Sequence, residues 1–328
     1  MRDQPNQVLL TFDVEGLPPR EDFFDSTALM CLHETLDLLE NVNFKGIFFL
    51  TASAAEQIRK YPDLVERLSS HQIGYHSSSH SVKPRIVEYT DVPNYDEAVA
   101  ISLKRETSRV NPETGQIERK GGILALKETF PRNDVVCFRA PFLAWSPPHL
   151  EALKKLGIKF DFSASISDHP VSCRGLTFYP RPIPIDDCVE ATFVRREPND
   201  LFPKPIFSIL LQRRVTVLFM HPPTLLVKDA FAGREKCQIG GKVRTKLITS
   251  LLRFLLNRVR LLQKSNLIEV TSSPSQDWQS PQLEKEGVER ICWESVRSPM
   301  LLFGYNPRFI LSHFVRFFDQ NGAKSAEV

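Results

Sequence analysis

Val8-Leu9-Leu10-Thr11-Phe12-Asp13-Val14-Glu15-Gly16 is an apolar run that stops on two carboxylates spaced two apart, followed by a glycine. Period-2 geometry puts Asp13 and Glu15 on the same side of an extended chain, and Gly16 permits an immediate turn. Side-by-side carboxylates repel, and a nearby cation relieves the repulsion. Alone, the stretch reads as a buried strand ending in a solvated acidic turn. Three further segments change that reading, each behind a strand-like run: His76-Ser77-Ser78-Ser79-His80, Arg139-Ala140-Pro141-Phe142 and Leu218-Phe219-Met220-His221. Glu15, His76 and His80 together offer one oxygen and two nitrogen ligands. That set suits zinc or a similar divalent ion with positions left open for water and substrate. The histidine spacing also fits a helix face, but three consecutive serines behind a strand argue for a loop.

The elements that must position these groups alternate. Leu29 to Val42 has apolar residues at helical spacing, and Lys45 to Leu50 follows as a short buried strand. Ala54 to Ser69 repeats the helix, and Gln72-Ile73-Gly74-Tyr75 brings the chain to His76. Tyr95 to about Val110 reads as a helix behind the turn-forming Pro93-Asn94, and Asn111 to Gly122 as an exposed polar insertion. Ile123 to Phe130 reads as helix and Asp134 to Phe138 as the strand that delivers Arg139. Ser146 to Leu156 is a helix with proline in its first turn and Gly157 as its stop, followed by a strand over 158–162. Leu176 to Val194 is proline-rich and suggests short edge strands and loops. A helix over 205–212 leads to the strand that ends at His221; a basic, apolar helix over 245–263 precedes a last strand over 267–271. Several strands ending in functional side chains are what a barrel with its site at the strand C-terminal edge shows. The chain thus divides into a compact domain over 1–271 and a linker with an apolar, basic tail over 272–328.

Composition narrows the classes. A chain of 328 residues, 42% hydrophobic and 25% charged, suits one large α/β domain with a tail rather than a disordered or fibrous protein. The net charge of +3 comes from dispersed basic residues, which excludes a nucleic-acid footprint. The six scattered cysteines show no CxxC pair and read as reduced thiols. Together with a polar start that leaves no room for a signal peptide, they point to the cytoplasm.

On these motifs the chain resembles the polysaccharide deacetylases, the NodB-homology enzymes of carbohydrate esterase family 4, over about residues 7–271. The resemblance implies an α/β fold, a distorted (β/α) TIM-like barrel, and metal-dependent removal of acetyl groups from sugars. The family's first motif is usually T-F-D-D-G. Thr11-Phe12-Asp13-Val14-Glu15-Gly16 inserts Val14 and uses glutamate as its second acid, which resembles the branch that includes intracellular deacetylases and cyclic-imide or allantoin-type hydrolases. Carried over, the family makes Asp13 the base that takes a proton from water, and Glu15, His76 and His80 the ligands of Zn2+ or, alternatively, Co2+, Mn2+ or Ni2+. Arg139 orients Asp13, the backbone near Phe142 helps hold the oxyanion, and His221 is the general acid. Asp161 is matched to the aspartate that pairs with that histidine, although the tryptophan usual in its motif is missing. Pro141, Phe142 and Trp145 are matched to substrate binding, with Trp145 offering either a ring to stack on a sugar or filler for the core.

Two other readings compete with an N-acetylated amino sugar as substrate. One is a small cyclic amide or ureide; the other is a catalytically silent barrel that binds. Retention of base, base-holder and acid together speaks against the last. The tail, with Leu301, Leu302, Phe303, Phe309, Phe314, Phe317 and Phe318 beside Arg297, Arg308 and Arg316, suggests peripheral contact with the inner face of a membrane, or packing back on the domain.

Overall fold

The computed structural model describes residues 5–16, 24–80, 92–111, 116–163, 168–189, 204–228, 238–275, 312–313 and 316–317. The chain begins with β1 (Asn6–Val14), α1 (Ser26–Val42), β2 (Ile47–Leu50), α2 (Ala52–Ile58), α3 (Pro62–Ser69) and β3 (Gln72–Tyr75). Next come α4 (Tyr95–Glu106), β4 (Ser108–Val110), β5 (Ile117–Lys120), α5 (Ile123–Thr129) and β6 (Cys137–Phe138). A 3-10 turn over Pro141–Leu143 leads to α6 (Pro147–Lys155), β7 (Phe160–Asp161), β8 (Val171–Cys173) and β9 (Leu176–Phe178). The described elements end with β10 (Ile183–Pro184), α7 (Ile185–Val189), α8 (Lys204–Gln212), β11 (Val215–Met220), β12 (Val227–Lys228), β13 (Gln238–Ile239), α9 (Lys242–Lys264) and β14 (Ile268–Thr271).

These elements fall into two compact units. The first comprises Met1–Gly74, Thr129–Asp134 and Pro182–Pro274, the second Tyr75–Glu128, Val135–Arg181 and Ser275–Val328. In the first unit the strand order is β10-β11-β1-β2-β3, with β14 also on β1. β1 takes β11 along Gln7–Phe12, and divides its other pairing between β14 at Asn6–Leu9 and β2 at Thr11–Val14, all parallel. A strand with parallel neighbours and covered faces should be a continuous apolar run, which is how Val8 to Phe12 reads. α1 covers this sheet with Ala28, Cys31, Leu32, Leu36 and Leu39. Its start is capped by Asp25, which accepts from Ala28 N at 2.9 Å, and its end by Asn43 in the left-handed region at φ 56°. Gly46 is required by crowding, because a Cβ there would sit 2.7 Å from the Phe12 ring.

In the second unit the order runs from Tyr75, the last residue of β3, through β6, β7 and β9 to β8. β6, β7 and β9 are parallel and β8 turns back antiparallel on β9. α4 packs against α6, and Asn94 caps α4 by accepting from Asp96 N and Glu97 N. At Arg316 and Phe317 the tail packs on its own unit. Phe317 is fully buried, Arg174 donates to the Arg316 and Phe317 carbonyls at 3.0 and 2.9 Å, and Arg316 pairs with Asp96 at 3.0 Å. The other residues invoked for a membrane-lying tail are outside the described ones. No described helix is long and apolar enough to cross a membrane.

Some expected boundaries change. The helix expected over 54–69 is two helices, because Pro62 has no N–H to donate and pushes Tyr61 out of the α region, to φ −123° and ψ 88°. The polar insertion contributes β5, which pairs antiparallel with β4 from the end of the expected 95–110 helix. All four residues of β5 are exposed, so no alternation marked it.

His71, between α3 and β3, gives the first unit an acid-sensitive position. Its buried Nδ1 accepts from Gly46 N at 3.1 Å, which requires the neutral ring. Burial, then the positive charges of Lys45 and Arg67, lower its pKa from 6.5 to about 4. The unfolded chain therefore binds a proton that the folded chain refuses, so stability falls as pH drops from 6.5 toward 4. The loss from this group is about 3 kcal/mol at the acid end. His71→Asn keeps an acceptor for Gly46 and cannot titrate. Urea unfolding at a series of pH values should show wild type losing stability relative to the variant across that window. Parallel curves would refute the assignment.

Candidate active site

The first unit supplies two carboxylates and a histidine-aspartate pair. Asp13 is held in β1 opposite Phe49 of β2, and Glu15 follows one residue beyond the strand; they are 4% and 1% exposed. His221 leaves the end of β11, which is parallel to β1, so both strands deliver their terminal side chains at the same edge. Its Nδ1 lies 3.0 Å from Asp186 Oδ2, and its backbone N–H donates to the same oxygen at 2.8 Å. Its Nε2 lies 4.0 Å from Glu15 Oε1. Burial pulls the ring's pKa down, but the hydrogen bond and charge of Asp186, and then Glu15 and Asp13, outweigh it and raise it to about 9.

Asp186 was not anticipated, and it corrects the pairing given to Asp161. The buried Asp161 carboxylate accepts from Ser163 N at 3.0 Å and Ser163 Oγ at 3.1 Å, whereas the Nδ1 of His221 is met by Asp186. Ile185-Asp186-Asp187-Cys188 is a five-residue helix start with the composition of an ordinary acidic turn. The one available signal was its place directly behind a strand, and two adjacent aspartates left the choice between them open.

The second unit supplies the histidines and the arginine motif. His76 follows β3 and is 2% exposed. Its Nδ1 is 2.7 Å from the Arg139 carbonyl oxygen, so Nδ1–H donates there and a metal ion would be met by Nε2. Ser77 takes φ 71° to turn the chain toward His80, whose ring packs on Phe142 at 4.5 Å between centroids. Arg139 is fully buried at the end of β6, and its guanidinium stands over Phe162 at 6.0 Å. Ala140 N donates to Ser163 Oγ at 2.6 Å, so Asp161, through Ser163, fixes the backbone of the Arg-Ala-Pro-Phe segment. Phe142 and Leu143 both hold positive φ, 55° and 54°, a strained backbone for two non-glycine residues in succession.

Of the residues expected to meet substrate, Phe142 is 52% exposed. Trp145 is 2% exposed and Pro141 is buried, so neither offers a face for stacking on a sugar. Trp145 ends an apolar segment that enters α6 and is used as core.

Beneath the serine turn is a buried acid. Glu106, the last residue of α4 and fully buried, accepts from Tyr75 Oη, from Ser77 Oγ at 2.9 Å and from His149 Nε2 at 2.8 Å. A side chain at Gly122, which itself has φ 60°, would collide with the Glu106 carbonyl. Tyr75 and Ser77 flank His76, so the network grips the ligand's two neighbours. His149 is thus structural.

Glu15 of the first unit and His76 and His80 of the second offer a carboxylate and two imidazoles, donor types suited to a divalent ion.

In each unit parallel strands alternating with helices carry these side chains at or just beyond strand ends: carboxylates and a histidine in the first, histidines and a buried arginine in the second. The family model described as polysaccharide deacetylase matches residues 2–160. That match takes in β1 to the start of β7, and the described elements over it are strands alternating with helices, an α/β arrangement. Among solved structures the chain is similar to a polysaccharide-deacetylase-like protein of Mycobacterium smegmatis, at 16% identity and TM-score 0.48, over 85% of this chain and 97% of that one. It is also similar to a family 4 carbohydrate esterase of Bacillus anthracis, at 16% identity and TM-score 0.40, over 81% and 80%. A pseudoenzyme of that family from Bacillus anthracis gives 12% identity and TM-score 0.43, over 86% and 69%. Comparison with curated proteins finds no match.

Proposed function

We propose that this chain is a metal-dependent deacetylase that hydrolyses the acetamido group of an N-acetylated amino sugar, free or attached to a nucleotide, lipid or polysaccharide. The observation that carries the reading is the Nδ1 of His76 engaged by the Arg139 carbonyl, so that a metal ion would be met by its Nε2, with Glu15 and His80 as the further ligands the motifs imply. A divalent ion there, zinc being the best match to one oxygen and two nitrogens, would polarise the carbonyl and acidify water.

The chain's own residues do the rest. Asp13 takes the proton of the attacking water as its oxygen adds to the acetyl carbon. Arg139 orients Asp13, and backbone N–H donors near Phe142 receive the negative charge that builds on the carbonyl oxygen. His221, charged because Asp186 stabilises the imidazolium, gives its proton to the amide nitrogen as the C–N bond breaks. Acetate and a free amine leave, and Asp13 returns its proton to solvent.

The test is metal analysis of the purified full-length protein together with acetate release from N-acetylhexosamine oligomers and nucleotide sugars. Stoichiometric metal, with acetate release abolished by chelator and restored by Zn2+, is the expected result. Metal without acetate would move the substrate to cyclic amides or ureides. No metal under any loading condition would overturn the enzyme reading in favour of a binding protein.

A further inference from the structure

The long helix α9 leaves one face uncovered. Ile248, Leu252, Leu255, Leu256 and Val259 are buried in the first unit, which accounts for one side of a 23-residue helix. On the opposite side Val243, Leu247, Phe254 and Leu261 are 83%, 40%, 48% and 53% exposed. Three of these four recur at seven-residue intervals, so they form a stripe along the axis rather than a scatter. From Val243 to Leu261 the stripe runs about 27 Å at helical rise. Its flanks are Lys246, Arg253, Arg258 and Lys264, all exposed. No aspartate or glutamate occurs anywhere in the helix. The Arg258 guanidinium lies over the Phe254 ring at 5.1 Å, its aliphatic stem beside the apolar stripe and its charge at the margin.

Charge selects the occupant. A second copy seated on this face would set two identical rows of cations against each other, with no acid on the helix to answer them. An anionic partner satisfies all four. The exposed apolar side chains are strung along a line, and between basic groups on long stems they match a plane of acyl chains beneath anionic headgroups better than the contoured surface of a folded protein. We propose that α9 docks this protein peripherally on an anionic lipid surface, with Val243, Leu247, Phe254 and Leu261 entering the headgroup boundary and the flanking cations meeting phosphates. The proposal is independent of the reaction assigned above, and it places the membrane contact on α9 instead of on the tail.

Full-length protein is floated with phosphatidylcholine vesicles containing or lacking phosphatidylglycerol, at low and high salt, beside Leu247→Ser/Phe254→Ser/Leu261→Ser and Arg253→Glu/Arg258→Glu. Wild type should float with the anionic vesicles alone and be released by salt, and each variant should bind at least tenfold more weakly with an unchanged thermal melt. Flotation of the variants equal to wild type would overturn the proposal by locating the contact elsewhere. So would failure of wild type to float, or a dimer in gel filtration that the variants dissociate.

Discussion

Asp186→Asn is expected to lower acetate release by about 10²- to 10⁴-fold, the usual loss when a positioned proton donor is disabled, with KM little changed. The asparagine oxygen can still accept the His221 backbone N–H, so the β11 end should keep its shape. What changes is the charge shown to the ring. An amide cannot supply the negative charge that holds the imidazolium, although the same oxygen, 3.0 Å from Nδ1, still accepts from Nδ1–H. The ring then rests neutral, with its proton on Nδ1, and has none on Nε2 to give to a departing amine. His221→Ala should cost a similar factor, and the double variant little more, because the two residues act as one unit. Asp161→Asn serves as the contrast. It loosens Ser163 and through it Ala140, so it should alter stability or substrate fit without removing the donor. If Asp161→Asn abolished turnover at constant KM while Asp186→Asn left it intact, the pairing in the structure would not be the one that operates.

The second large effect is expected on stability. Glu106→Ala removes the shared acceptor of Tyr75, Ser77 and His149 from a site with no exposure. Breaking a buried, hydrogen-bonded pair by deleting one partner costs about 3–5 kcal/mol, because the groups left behind have also lost their water. Glu106→Leu/His149→Leu should recover part of that loss, since it removes both polar groups and fills the space. Urea unfolding of the full-length variants measures both. A loss below about 1 kcal/mol for Glu106→Ala would show that the network is dispensable. Because Ser77 holds a left-handed backbone next to His76, the single variant should also weaken zinc binding in calorimetry.

The strand-helix alternation, β1 with its terminal acids, and the ends of β3, β6 and β11 were all legible from periodicity. Chain-local rules decide such features: alternation, apolar runs and helix stops at residues such as Gly157. The candidate ligands were proposed from histidines and a carboxylate occurring jointly at strand ends, each of which alone reads as an ordinary structural or solvated residue. Broken elements were harder to read. Pro62 interrupts an otherwise helical apolar spacing, and the fully exposed β5 has no buried face to impose a period of two.

Partnership between residues far apart in sequence was not legible. Which aspartate meets His221, 35 positions before it or 60, depends on where β10 and β7 fall in the strand order, and strand order is set by packing across the sheet. Glu106 looked like one more charge on an amphipathic helix until Tyr75, Ser77 and His149 closed over it. Of the two readings open for Trp145 the structure takes the core, while Phe142 is open, and the left-handed Phe142 and Leu143 turn the chain between them. The sequence by itself determined which chemical groups this protein has and on what kind of element each sits. The tertiary structure alone decided who is paired with whom and what faces water, because hydrogen bonding and desolvation act through space and leave no period in the chain.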